Sequence, residues 1–257
     1  MDEGALPAVP GAMPWAWAAT SLGLAGETDR CLELCHRQLA IGDPVHYARA
    51  NMVWLLAHIN KCDEALELGA ILVADAESTG SPLAHGLALE AWASAIAPTS
   101  AQAALDARAK ALEVAQASGN VFLSDIVLRE LAILEATDGD PRRALSWFEL
   151  AIDSFHRAGN TPNVHAAVGA LAMLANRYRL EEASAILAAA ASTSEGTAAL
   201  IPSLAGFVAD RAASHGDSYD ELSRRGEAMD RAELVAFAKG HLHQLEQLLD
   251  SGSTETS

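Results

Sequence analysis

Apolar positions in this chain recur with the 3.6-residue period of helices that bury one face. Between Gly119 and Gly159, Ala144, Trp147, Phe148, Ala151, Ile152 and Phe155 fall at i, i+3, i+4, i+7, i+8 and i+11. A Gly-Asn pair opens this stretch and another follows it, each offering a left-handed glycine to end one helix and an asparagine to cap the next. The same grammar predicts helices near 28–41, 43–60, 62–79, 82–97, 100–118, 120–138, 141–158, 162–177, 180–192, 198–214, 217–227 and 230–249, after a first helix starting at Pro14 and carrying Trp15, Trp17 and Leu22. Alternating period-two runs do not stand out, so the chain reads as all-α.

The helices come in pairs. A small residue in the second helix of each pair falls at Cys31, Ala65, Ala104, Ala144 and Ala183, with intervals of 34, 39, 40 and 39. Glycines ending those helices fall at Gly42, Gly80, Gly119 and Gly159, with intervals of 38, 39 and 40. Two series sharing one period of 39–40 residues predict a right-handed superhelix of tetratricopeptide-like helical hairpins. The expected organisation is a flexible lead-in at 1–13, a helical-repeat domain over 14–249 with atypical capping helices over 198–249, and a disordered tail at 250–257. The last helix, with Leu234, Phe237, Ala238, Leu242, Leu245 and Leu248 on one face, is expected to cap the open end of the array.

Alignment of the first helices on Pro44, Pro82, Phe122 and Pro162 leaves mostly apolar columns and one mixed strip. It holds Tyr47, Asn51, Trp54 and His58 in one repeat, His85 and Trp92 in the next, Asp125 and Arg129 in the third, and His165 in the fourth. First helices line the concave face of such a superhelix, so these nine are the candidate contacts there for a partner helix or a small polar ligand. The competing reading has both tryptophans filling gaps between helices and the histidines solvated.

Charge and motif content narrow the function. A net charge of −17 argues against direct nucleic-acid binding, which needs clustered Lys and Arg to displace counterions. Three cysteines without CxxC spacing fit a reducing, cytoplasmic setting. The uncharged run Gly4–Gly26 follows acidic residues and is broken by prolines, which argues against a signal peptide or membrane span. The chain contains no GxxxxGK[ST], GxSxG or HExxH, and no GxGxxG following a strand, so no catalytic residue, cofactor or metal site is expected. Cys31 and Cys35, one helical turn apart, read as small buried hydrophobes. His241 and His243 point to different sides of a helix, and the pairs Asp63/Glu64 and Glu181/Glu182 sit where acidic residues complement a helix dipole.

The segment DPRRALSWFELAID resembles the second helix of a tetratricopeptide repeat. More of the chain, about 14–249, resembles the C-terminal helical-repeat region of LuxR-family regulators and related actinobacterial adenylate-cyclase-like signalling ATPases. The stretch YDELSRRGEAMDRAELVAFAKGHL is similar to the end of that region, with Gly226, Met229, Leu234, Val235 and Ala238 in matching roles. The resemblance implies a non-enzymatic interaction module that regulates transcription or signalling by contacting a protein partner or an upstream ATPase or output domain. A sensor of a small-molecule effector, built on the same strip, is the alternative.

Overall fold

The computed structural model describes residues 18, 19, 22, 23, 26–42, 46–194, 197–201 and 203–252. The expected lead-in at 1–13, the start of the first helix with Trp15 and Trp17, and residues 253–257 lie outside them. All regular structure among the described residues is helical, so the chain is all-α. The helices are α1 (Thr28–Ile41), α2 (Tyr47–His58), α3 (Cys62–Ser78), α4 (Pro82–Ile96), α5 (Ala101–Ala117), α6 (Val121–Asp138), α7 (Pro141–Ala158), α8 (Thr161–Arg177), α9 (Glu181–Ser192), α10 (Thr197–Leu200), α11 (Leu204–His215), α12 (Tyr219–Glu227) and α13 (Arg231–Gly252). The helix expected over 198–214 is two pieces, α10 and α11, with Pro202 in the sequence between them; proline has no N–H to continue a helical ladder.

Local chemistry accounts for the boundaries. Ser81 and Ser100 cap α4 and α5 by accepting the N–H of Ala84 and Ala103 at 3.3 and 3.2 Å. Asp140 does the same for α7 from Arg142 at 2.9 Å, with Pro141 in the first turn. Gly80, Gly119 and Gly159 all take left-handed φ values, 66, 67 and 71°. The two asparagines after the latter glycines accept from Leu123 and Asn163 as the Gly-Asn pattern predicts. The small-residue column is buried throughout, with Cys31, Ala65, Ala104 and Ala144 fully so.

Two compact units divide the chain, residues 1–123 and 124–257. In the first, α1 packs on α2, α2 on α3 and α4, and α4 on α3 and α5. Each hairpin is crossed by an ion pair: Arg49 to Asp75 at 2.7 Å between α2 and α3, and Arg108 to Glu90 at 3.3 Å between α4 and α5. Glu90 and Arg108 are buried, and Ser94 Oγ accepts from Arg108 at 3.4 Å.

In the second unit α8 packs between α7 and α9, and α9 also carries α11 and α12. From Ala183 to Ala191 every residue of α9 is buried, as expected of a helix surrounded by others. Its one hydroxyl in that span, Ser184 Oγ, donates to the Ala172 carbonyl at 2.8 Å. At Gly226, α12 meets α9 backbone to backbone: a Cβ there would lie 2.3 Å from the Ile186 carbonyl oxygen. The final helix ends three residues later than expected and turns back to lie antiparallel along α7. Arg142 bonds Asp250 and the Leu249 carbonyl, Lys239 bonds Asp153 at 2.8 Å, and Arg231 reaches Thr161 at 3.5 Å. Leu234, Val235, Ala238, Leu242 and Leu245 form its buried stripe.

Candidate functional site

Five of the nine strip residues keep exposed surface, and all five are in the first unit. His58 is exposed, while Asn51, Trp54, His85 and Trp92 are half-buried. Trp54 lies against a cluster of Ala19, Cys31, Cys35, Ala48 and Leu55. Its ring stacks tilted on His58 with centroids 4.1 Å apart, and His58 Nδ1 lies 2.8 Å from the Trp54 carbonyl. Both tryptophans sit over glycines. A Cβ on Gly23 would come within 3.0 Å of Trp54, and one on Gly69 within 2.9 Å of Trp92. This arrangement fits the gap-filling role of aromatics, with both residues left half-buried. His85 borders a shallow depression with Glu77, Gly80, Ser81, Val114 and Ser118, at the ends of α3 and α5. Tyr47 is buried.

The three strip residues of the second unit are buried and bound to neighbouring helices. Asp125 and Arg129 share one repeat of the strip, yet each finds its own partners. Asp125 accepts from Ser154 on α7 at 2.5 Å, whereas Arg129 bonds the adjacent Glu130 and Asn163 on α8. Burial raises the carboxyl pKa of Asp125, with the Ser154 hydroxyl and the Arg157 charge opposing it. His165 on α8 places Nδ1 3.0 Å from the Ala190 carbonyl near the end of α9. Burial lowers its pKa, and the α9 carbonyl end pulls the other way, so the neutral ring with Nδ1–H is the form that fits. These side chains fasten helices together.

The strip alignment passed over Glu90, Arg108 and Arg49. Glu90 stood in the column of Met52, Glu130 and Ala170, and a carboxylate in an Ala-Leu helix was itself a signal of a buried partner. Arg49 contacts His46 as well as Asp75 and so anchors the start of α2. Once Arg49 and Glu90 are bound within their own hairpins, α2 and α4 carry no other Asp, Glu, Lys or Arg. Acidic residues instead line α3, with Asp63, Glu64, Glu67, Asp75 and Glu77.

Among the described residues no group of three or more His, Cys, Asp and Glu side chains is placed to hold a metal ion. No helix among them is long and apolar enough to cross a membrane. No protein-family model matches this chain, and no curated protein matches it significantly.

Proposed function

We propose that this chain is a non-enzymatic interaction module of a bacterial signalling or transcriptional regulator, engaging a protein partner or an upstream ATPase or output domain through α2 and α4. The observation that carries the reading is the character of those two helices. Their only formal charges are tied to α3 and α5, while Asn51, Trp54, His58, His85 and Trp92 remain at least partly exposed. Half-exposed tryptophans on a rigid scaffold supply apolar contact area at low entropic cost, the character of interface anchors. The resemblance to helical-repeat regions of signalling ATPases points to the same use. Asp125, Arg129 and His165 belong to the scaffold in this reading. The stacked Trp54–His58 rings also suit a planar small-molecule effector, which is the second reading.

A photo-crosslinking amino acid placed at His58 or His85 in cells tests the interaction. A discrete crosslinked protein is expected at both positions, absent at Glu113 on α5 and lost when Trp54→Ala is added. Equal crosslinking at Glu113 would overturn the proposal. Binding of a planar aromatic ligand that quenches Trp54 fluorescence, without any protein crosslink, would favour the effector reading.

A further inference from the structure

Two helices of the first unit end at one hollow, and neither carries a cation there. The hollow, about 330 Å³, lies where α3 and α5 finish and α4 begins, with Glu77, Pro82, His85, Val114, Ala117 and Ser118 around it. Much of its wall is carbon: the Pro82 ring, the Val114 isopropyl group and the Ala117 methyl. Of the hydroxyls at its rim, Ser81 caps α4, and Ser118 donates to the Val114 carbonyl at 2.8 Å. The exposed Glu77 carboxylate has no hydrogen-bond or ion-pair partner among the described residues.

The electrostatics of this corner have one sign. A helix C-terminus carries roughly half a negative charge, which Lys, Arg or His in the last turn offsets. Neither α3 nor α5 has such a residue in its last turn, whereas α7 has His156 and Arg157. Counted back from the closing glycines, Gly119 and Gly159, Ala117 of α5 is the equivalent of Arg157. The hollow thus lies beside the position at which a later repeat supplies its own arginine. Within the first unit all six lysines and arginines are already ion-paired to carboxylates.

Carbon walls under a negative rim suit a group with an aliphatic stem and a cationic end, the build of a long basic side chain. We propose that this hollow is a socket for a lysine or arginine side chain of the protein partner. The proposal rests on the interaction module above, whose contact residue His85 borders the hollow, and it makes the partner's docking segment basic. From a partner seated on α2 and α4, the side chain reaches past His85. Its stem packs on Pro82, Val114 and Ala117, and its charge lies at Glu77 and the two helix ends.

Nα-acetyl-lysinamide titrated into the isotope-labelled full-length chain tests the socket by amide chemical shifts. Saturable shifts are expected around His85 and Val114. The norleucine analogue, with the stem and no charge, and methylammonium, with the charge and no stem, should each bind about fivefold more weakly. Glu77→Gln should weaken the lysine probe by a similar factor, whereas Asp63→Asn, the same charge change at the far end of α3, should not. Ala117→Arg gives α5 the residue that α7 has, and should fill the hollow, abolish probe binding and remove the partner crosslink at His85. All three substituted positions are exposed, so unchanged helical circular dichroism is expected. Equal binding of the three probes, shifts scattered over the acidic surface, or undiminished binding to Glu77→Gln would each overturn the socket. A His85 crosslink undiminished in Ala117→Arg would overturn it while leaving the interaction module standing. Failure of the module itself shows differently, as no crosslink in the wild-type chain.

Discussion

A carboxylate held away from water is a liability that titration exposes. Asp125 sits under α7 with its pKa raised chiefly by burial, so the folded state holds its proton to a higher pH than the unfolded chain does. Between 3.8 and that raised value the native state binds more protons, and stability falls as pH rises through the window. Above it the ionised group remains a fixed cost. Asp125→Asn keeps an acceptor for the Ser154 hydroxyl and removes the charge. The variant is expected to melt higher than wild type at pH 7, by a few degrees or less, with the difference vanishing in acid. Thermal melts across pH check it, and a variant destabilised equally at all pH values would show that the carboxylate is not the strained group. Gly226 is constrained more sharply, because the Ile186 carbonyl oxygen occupies the place of a Cβ. Backbone cannot step aside as a flexible side chain does, so Gly226→Ala should cost about 3 kcal/mol or more, measurable by urea unfolding.

At the scale of elements, the apolar packing of the α4–α5 hairpin is crossed by a buried ion pair. Glu90 and Arg108 cross the α4–α5 hairpin where the last repeat has Ala170 and Leu187, so the ion pair is not required by the architecture. Breaking one side leaves an uncompensated buried charge; replacing both sides with apolar groups removes the desolvation penalty as well. Arg108→Leu alone should lose about 3–5 kcal/mol, whereas Glu90→Met with Arg108→Leu should recover most of that loss in chemical denaturation. A double variant no better than the single would show that the pair specifies the hairpin geometry.

Much of this level was legible before any coordinates. The Gly-Asn caps, left-handed glycines and the small-residue column are local or strictly periodic, and Gly119, Asn160 and Ala144 perform the roles their positions announce. The strip was legible only as a register. Aligning first helices with one another shows which residues are equivalent, but it does not show the second helix packed against them. Ser154 lies 29 residues from Asp125, Asn163 lies 34 from Arg129, and the Ala190 carbonyl lies 25 from His165. Those distances in sequence decide whether a polar side chain faces water or a neighbour. Trp54 and Trp92 were ambiguous for the complementary reason: the glycines beneath them, Gly23 and Gly69, are on other helices.

At the largest scale the structure supports, the second unit is closed by a helix that returns along its own chain. Two of the ion pairs along α13 are at least a third exposed on both sides, and pairs of that kind contribute roughly 0–1 kcal/mol. The buried stripe does more. Leu245 is fully buried, and Leu245→Ala should cost about 2–5 kcal/mol, whereas Lys239→Ala should stay within about 1 kcal/mol. Hydrogen exchange should show α13 as protected in high salt as in low salt for the wild-type chain, with protection lost in Leu245→Ala. Salt-induced exchange confined to α13 would show instead that charge holds it.

Alanine-lined α9 gives the unit a further, mechanical property. Side chains between helices normally act as a compliant layer, since long rotamers shift before backbones do. Along α9 that layer is one methyl group deep in most places, and at Gly226 it is absent. Close-packed matter of this kind has little compressibility. A push on α12 therefore arrives at α8 almost undiminished, and α9 behaves as a stiff strut through which displacement on one side of the unit is felt on the other.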